Sequence, residues 1–178
     1  MLDLLAFLFI AFFLPAEAIA ADSTEVDALL GRVGREAVLV SDLQRFSSVD
    51  KVLACAGVLK REKPLPTDRL ALLRIYVDEE LMYQEARAKK VSTAGQIPIS
   101  VQMIQGKESC RSQWLSLGGK YSRLWRTETR PREGEGMLVR ELEKRVLVEK
   151  FRKSEVIPDF ELWKREVSVR YPVKIYSE

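Results

Sequence analysis

The segment from Leu70 to Lys90, LALLRIYVDEELMYQEARAKK, constrains the fold more than any other part of the chain. On a helical wheel of about 100° per residue, Leu70, Leu73, Val77, Leu81 and Ala88 form one apolar stripe. Leu72, Ile75, Met82 and Ala86 form a second, with Tyr76 and Tyr83 beside it. Only a narrow sector holding Arg74, Asp78, Glu85 and Lys89 is consistently charged. A helix apolar over most of its circumference has to be surrounded by others, so this segment is expected to be the central helix of a mainly α domain.

The acids of the segment are read against that wheel. Arg74 with Asp78, and Glu85 with Lys89, are i,i+4 pairs in the solvated sector, worth a few tenths of a kcal/mol. Glu79 and Glu80 diverge by about 100° and cannot both face one ligand. They are therefore expected to be surface or helix-edge charges and not a paired-carboxylate or metal site.

The flanking sequence adds elements on both sides. Leu29–Val33 and Ala37–Val40 read as short β-runs around a Gly34-Arg35-Glu36 turn. Ser41-Asp42-Leu43-Gln44 then reads as a capping box opening a helix with Leu43, Phe46, Val49, Leu53 and Ala56 at helical spacing. A loop over Lys60–Pro66 and a cap at Thr67 precede the central helix. One or two helices are expected between Pro98 and Gly118, ended by Gly118-Gly119, then a short one in KYSRLWRTETR, with PREGEG as a loop. Met137–Lys153 predicts a long helix. Its stripe passes from Leu138, Leu142 and Val146 to Leu147, Val148 and Phe151, so its two halves should pack on different neighbours. A short helix from about Asp159 and a β-run at Val173–Tyr176 close the chain, with Trp163 in the core that ties the ends together. The terminal strand needs a partner, and the other strand candidates are amino-terminal. The expected architecture is a single mainly α domain of about five to six helices around the central helix, with a small sheet pairing the N-terminal and C-terminal strands.

Composition limits the chemistry. Among 178 residues there is no histidine, which removes the commonest general base and zinc ligand and every Ser-His or Cys-His pair. Neither an enzyme nor a metal or cofactor site is expected. The amino terminus has an apolar run from Leu4 to Leu14, a break at Pro15 and the small-residue pattern Ala18-Ile19-Ala20. It reads as an export signal over residues 1–20, cleaved after Ala20, leaving residues 21–178 as the domain. Its n-region carries Asp3 and no basic residue, so either the start lies upstream or the segment stays as a membrane anchor. Cleavage removes Asp3 and Glu17, taking 26 acids to 24 against 29 basic residues, and the net charge from +3 to +5. In an oxidising compartment Cys55 and Cys110 form either one disulfide, worth about 4 kcal/mol on the chain-entropy model, or two buried thiols.

The basic excess lies in Lys120–Lys153, with eleven Lys or Arg and six acids. It reads as a solvated face laced with pairs such as Glu141–Arg145 and Glu149–Lys153, with steering of acidic clients or anionic head groups as a minor addition. Nucleic acid is not an expected partner of an exported chain.

The order of export signal, RVGREAVLVSDLQRF, LLRIYVDEELMYQEARAKKVS and LEKRVLVEKFRKSEVIPDFELWKREVSVRYPVKIY resembles the N-terminal chaperone module of SurA-type periplasmic foldases, related to the peptide-binding part of trigger factor. Val38–Leu43 matches the strand-to-helix transition of that family, and Leu72–Val91 its L-I-D-E-x-L-L-x-Q-E-A helix. The resemblance implies a periplasmic chaperone that binds unfolded outer-membrane or other exported proteins. Members of the family carry parvulin prolyl-isomerase domains where SEVIPD here passes straight into FELWKREV, so a holdase without isomerase activity is expected. A module that holds one folded partner in envelope assembly is the alternative. Candidate client-binding residues are Met103, Trp114, Leu115, Tyr121, Leu124 and Trp125, from the segments with the least clear core periodicity. For each of them, ordinary core packing is the competing role.

Overall fold

The computed structural model describes residues 27–61, 63–124 and 133–176, with side chains described up to Gly119, at Gly136 and again from Leu138. The elements in chain order are β1 (Leu29–Val33), β2 (Glu36–Leu39), α1 (Val40–Ala56), α2 (Arg69–Ala88), α3 (Gln96–Gln105), α4 (Glu108–Leu124), α5 (Glu133–Ser154), α6 (Phe160–Arg170) and β3 (Val173–Ile175). They form the expected mainly helical unit with one small sheet.

That sheet is antiparallel in the order β2-β1-β3 and joins the two ends of the described chain. Gly34 has φ +60 at the first position of the two-residue turn between β1 and β2, where type II′ hairpins place glycine. Gly31 answers a different demand. A Cβ there would stand 2.6 Å from the Lys174 carbonyl oxygen, so only glycine lets β3 approach at this point.

Helix α1 begins two residues earlier than the Ser41 cap predicts. Its N-cap is Leu39, whose backbone N–H donates to Asp42 Oδ2 at 2.9 Å, while the Ser41 hydroxyl and N–H both donate to Asp27. Asp42 therefore takes the reach-back role expected of Gln44. The helix stops at Gly57, whose left-handed φ of 78 lets Val58 N–H reach the Leu53 carbonyl at 2.9 Å. Asp68, not Thr67, caps α2 by accepting from Ala71 N–H at 2.7 Å. Asp159 caps α6 in the same way through Leu162 N–H at 2.9 Å.

Two expectations about breaks fail. Helix α4 runs through Gly118-Gly119 to Leu124, and α5 already includes Glu133 to Gly136. Helical glycine costs about 1 kcal/mol, an amount that tertiary packing readily outweighs. At Gly118 the packing partner is visible: a Cβ there would be 3.7 Å from Cδ1 of the fully buried Leu138 on α5.

The core has three parts. Val49, Val52, Leu53 and Ala56 of α1 meet Ile104 of α3, Cys110 of α4, and Leu138, Leu142 and Val146 of α5. The hairpin residues Leu30, Val33 and Val38 meet Leu43 and Phe46 of α1, Leu73, Tyr76, Val77 and Leu81 of α2, and Val167 of α6. Met82 and Ala86 of α2 meet Leu147, Val148 and Phe151 of α5. Helix α2 thus has α1, α5, α6 and β1 around it, and the halves of α5 pack on different neighbours as its shifting stripe predicts. Trp163 borders both clusters that contain α2, within 6.1 Å of the Phe151 ring and 5.4 Å of the Phe160 ring.

Candidate functional site

The expected client-binding residues divide. Met103 on α3 is 39% exposed and Leu115 on α4 is 60% exposed, and Ile99, one turn before Met103, is 56% exposed. Trp114 is half-buried against the α1–α3–α4–α5 cluster, so it packs. Tyr121 and Leu124 belong to the last turns of α4, with side chains outside the described ones, and Trp125 lies outside the described residues. Cys55 and Cys110 are joined as a disulfide, which ties α1 to α4 beneath the α3–α4 turn. Lys107 of that turn donates to the Cys55 carbonyl at 3.0 Å.

The acids of α2 are where the helical wheel misleads. Glu79 and Glu80 are buried, at 2% and 5% exposure, not edge charges. Glu79 accepts from Arg145, from Arg61 at 2.8 Å and from Arg152 at 3.3 Å. Asp50 of α1 receives Arg145 at 2.7 Å and Arg61 at 2.6 Å. The Arg145 guanidinium, 1% exposed, also lies over the Phe46 ring at 3.6 Å from its centroid. Burial acts to raise the Glu79 carboxyl, but Arg145, Arg61 and Arg152 outweigh it and hold it below the usual carboxylate range. Beside this network, Glu80 pairs with Lys144, whose ammonium is 4.2 Å from the Tyr76 ring centroid. Burial acts to lower Lys144, yet Glu80, Tyr76 and Glu141 together raise it above an ordinary lysine. The same burial that disfavours charge pushes the Tyr76 phenol up to about 12.

Three further charged positions of the α2 segment pair across elements and not along the helix. Asp78 meets Lys164 of α6, Glu85 meets Arg170 at 2.9 Å, and Lys89 meets Glu155 at 2.9 Å. Glu141 and Arg145, expected on a solvated face, are 8% and 1% exposed and 3.8 Å apart. Glu149–Lys153, at 3.0 Å, does keep to the surface. Wheel geometry failed here because it weighs residue type alone: α5 carries Lys144-Arg145 on a face that meets Glu79-Glu80. Opposite charges interrupting two apolar helices were the available signal.

An open cleft of about 720 Å³ lies between the hairpin, the start of α1, α2 and the α6–β3 junction. Tyr76, Tyr83 and Tyr171 supply its rings, and Arg35, Arg45, Arg87 and Arg170 its cations, against Glu36, Asp42 and Glu80. Gln84 closes the back, donating to the Val33 carbonyl at 3.1 Å and to Glu80 at 3.0 Å. Sequence reading did not find this cleft, because its lining comes from four separate segments.

Comparison with known proteins adds no assignment: no family model, curated protein or solved structure matches the chain.

Proposed function

We propose that the chain is a periplasmic holdase chaperone module that binds extended segments of unfolded exported proteins, without isomerase activity. The observation that carries this reading is the set of large aliphatic side chains, Ile99, Met103 and Leu115, left between two-fifths and three-fifths exposed on α3 and α4. These helices have already committed Ile104 and Cys110 to the core, so the outward residues are surplus to folding and available to an apolar client. The disulfide supports an oxidising compartment, and so the export reading of the amino terminus. The direct passage from α5 through residues 155–159 into α6 supports a module without an inserted isomerase domain.

The test is suppression of aggregation of a urea-unfolded outer-membrane barrel protein diluted into buffer. Stoichiometric chain is expected to keep the client soluble, and Met103→Glu with Leu115→Glu to lose that effect while retaining the parent's thermal midpoint. Failure of the parent protein at equal stoichiometry overturns the reading.

A further inference from the structure

The two edges of the sheet are treated differently. β3, three residues long, follows Pro172 and carries Lys174, both devices that discourage another strand from adding. β2, Glu36-Ala37-Val38-Leu39, has neither proline nor lysine and forms the opposite edge. The hydrogen-bonding phase shows which of its groups are available. Gly34 N–H donates to the Pro172 carbonyl and Tyr176 N–H to the Leu30 carbonyl, so the even-numbered residues of β1 bond towards β3. Arg32 therefore turns its backbone groups towards Lys174. Ala37, paired opposite Arg32, turns its own N–H and C=O away from the sheet. Ala37 is exposed and lines the large cleft.

The cleft has a charge preference at this edge. Asp42 pairs with Arg45, Glu80 with Lys144, and Arg170 with Glu85. Arg35 and Arg87 line the same cleft, and among the described residues neither has a carboxylate partner. Arg87 rests over the Tyr83 ring, 5.7 Å from its centroid, which holds the guanidinium at the wall of the cleft. Glu36 is the acid left to oppose them, so the surplus at the edge is cationic.

We propose that the free edge of β2 at Ala37 receives an extended, acidic client segment as an added strand, its backbone bonding Ala37 and its carboxylate meeting Arg35 and Arg87. This rests on the client-holding reading above and names a second contact for the same clients. Main-chain bonds at the edge are indifferent to side chains, which suits a binder of many sequences, while the arginines select a carboxylate at one position. Alternate side chains of the added strand face either the α2 wall, with Tyr76 and Tyr83, or solvent.

The probe is a fluorescein-labelled octapeptide, Val-Thr-Val-Glu-Val-Thr-Val-Thr, followed by anisotropy with the full chain. Two further peptides carry N-methyl groups, one at residues 1, 3, 5 and 7 and one at residues 2, 4, 6 and 8. Since the glutamate fixes the register, one methylated peptide is expected to bind at least tenfold more weakly, as loss of about one or two hydrogen bonds implies, and the other to bind like the parent. Ala37→Pro is expected to reproduce that loss without disturbing the β1 ladder, because the Ala37 N–H takes no part in it. Replacing the peptide's glutamate by glutamine, or Arg87→Gln in the chain, should weaken binding severalfold and flatten its salt dependence.

Equal binding of all three peptides, or undiminished binding by folded Ala37→Pro, overturns the proposal. So does a concentration-dependent dimer that Ala37→Pro abolishes and the peptide fails to displace, which would give the edge to a second copy. The two readings fail separately. Loss of peptide binding with intact aggregation suppression removes only the edge site, and peptide binding without suppression removes only the holding function.

Discussion

The guanidinium of Arg145, on α5, is bonded to the carboxylate of Glu79, on α2, and both side chains are almost completely withdrawn from water. Charges so placed are costly to strand. Removing Arg145 leaves Glu79 and Asp50 with only the peripheral Arg61 and Arg152. Arg145→Met is expected to lower the free energy of unfolding by about 3–5 kcal/mol, measured by urea denaturation. Adding Glu79→Leu and Asp50→Leu to it should recover part of that loss. A triple variant less stable than the single one would show that the network contributes more than apolar packing can replace.

The bond between Cys55 and Cys110 closes a separation of 55 residues. Cys55→Ala with Cys110→Ala is expected to cost about 4 kcal/mol through the entropy of the unfolded chain. The unfolding midpoint of the parent should therefore fall on addition of dithiothreitol, and that of the double variant should not respond.

Acid and alkali should each weaken the fold through identifiable groups. The Glu79 carboxyl is held low, so below about pH 4 the unfolded chain takes up a proton that the folded one resists, and this contribution to stability is lost as pH falls. Asp78 works the other way, since burial raises its carboxyl despite Lys164, and it moderates the acid slope. Above pH 10 the unfolded chain releases the Tyr76 proton while the folded phenol holds it to about 12, so stability falls with rising pH. Lys144, raised by Glu80, adds to the same alkaline loss. Urea midpoints between pH 10 and 11 should fall less steeply for Tyr76→Phe than for the parent.

Gly31→Ala is expected to release the terminal strand. Its Cβ would meet the Lys174 carbonyl, which belongs to the backbone and cannot swing aside. A loss of about 1–3 kcal/mol should appear, with faster amide exchange at Tyr176, whose N–H bonds to the Leu30 carbonyl. Unchanged exchange there would mean that the sheet accommodates the methyl by shifting as a unit.

Lys90 offers a gain. It sits at φ 55 after α2, where Val91 N–H closes on the Ala86 carbonyl at 2.9 Å. Glycine adopts that conformation without the Cβ penalty, so Lys90→Gly should stabilise by about 0.5–1 kcal/mol in thermal or urea unfolding.

The spacing of apolar residues by itself determined the surrounded position of α2, the split duties of α5, the hairpin at Gly34 and the meeting of the two chain ends. The first three are legible because each depends on periodicity, or on a turn, within one short segment, and the last because a lone terminal strand needs a partner and the other strand candidates are amino-terminal. Tertiary structure alone decided the rest. Glu79 and Glu80 look like helix trim until Arg145 and Lys144 arrive from 64 to 66 positions later in the chain. Gly118-Gly119 looks like a stop until Leu138 packs beside it. Of the two states open to Cys55 and Cys110, only the approach of α1 to α4 selected the bond. The cleft beside β2 likewise exists only where four segments converge, since long-range proximity carries no local pattern for a sequence to display.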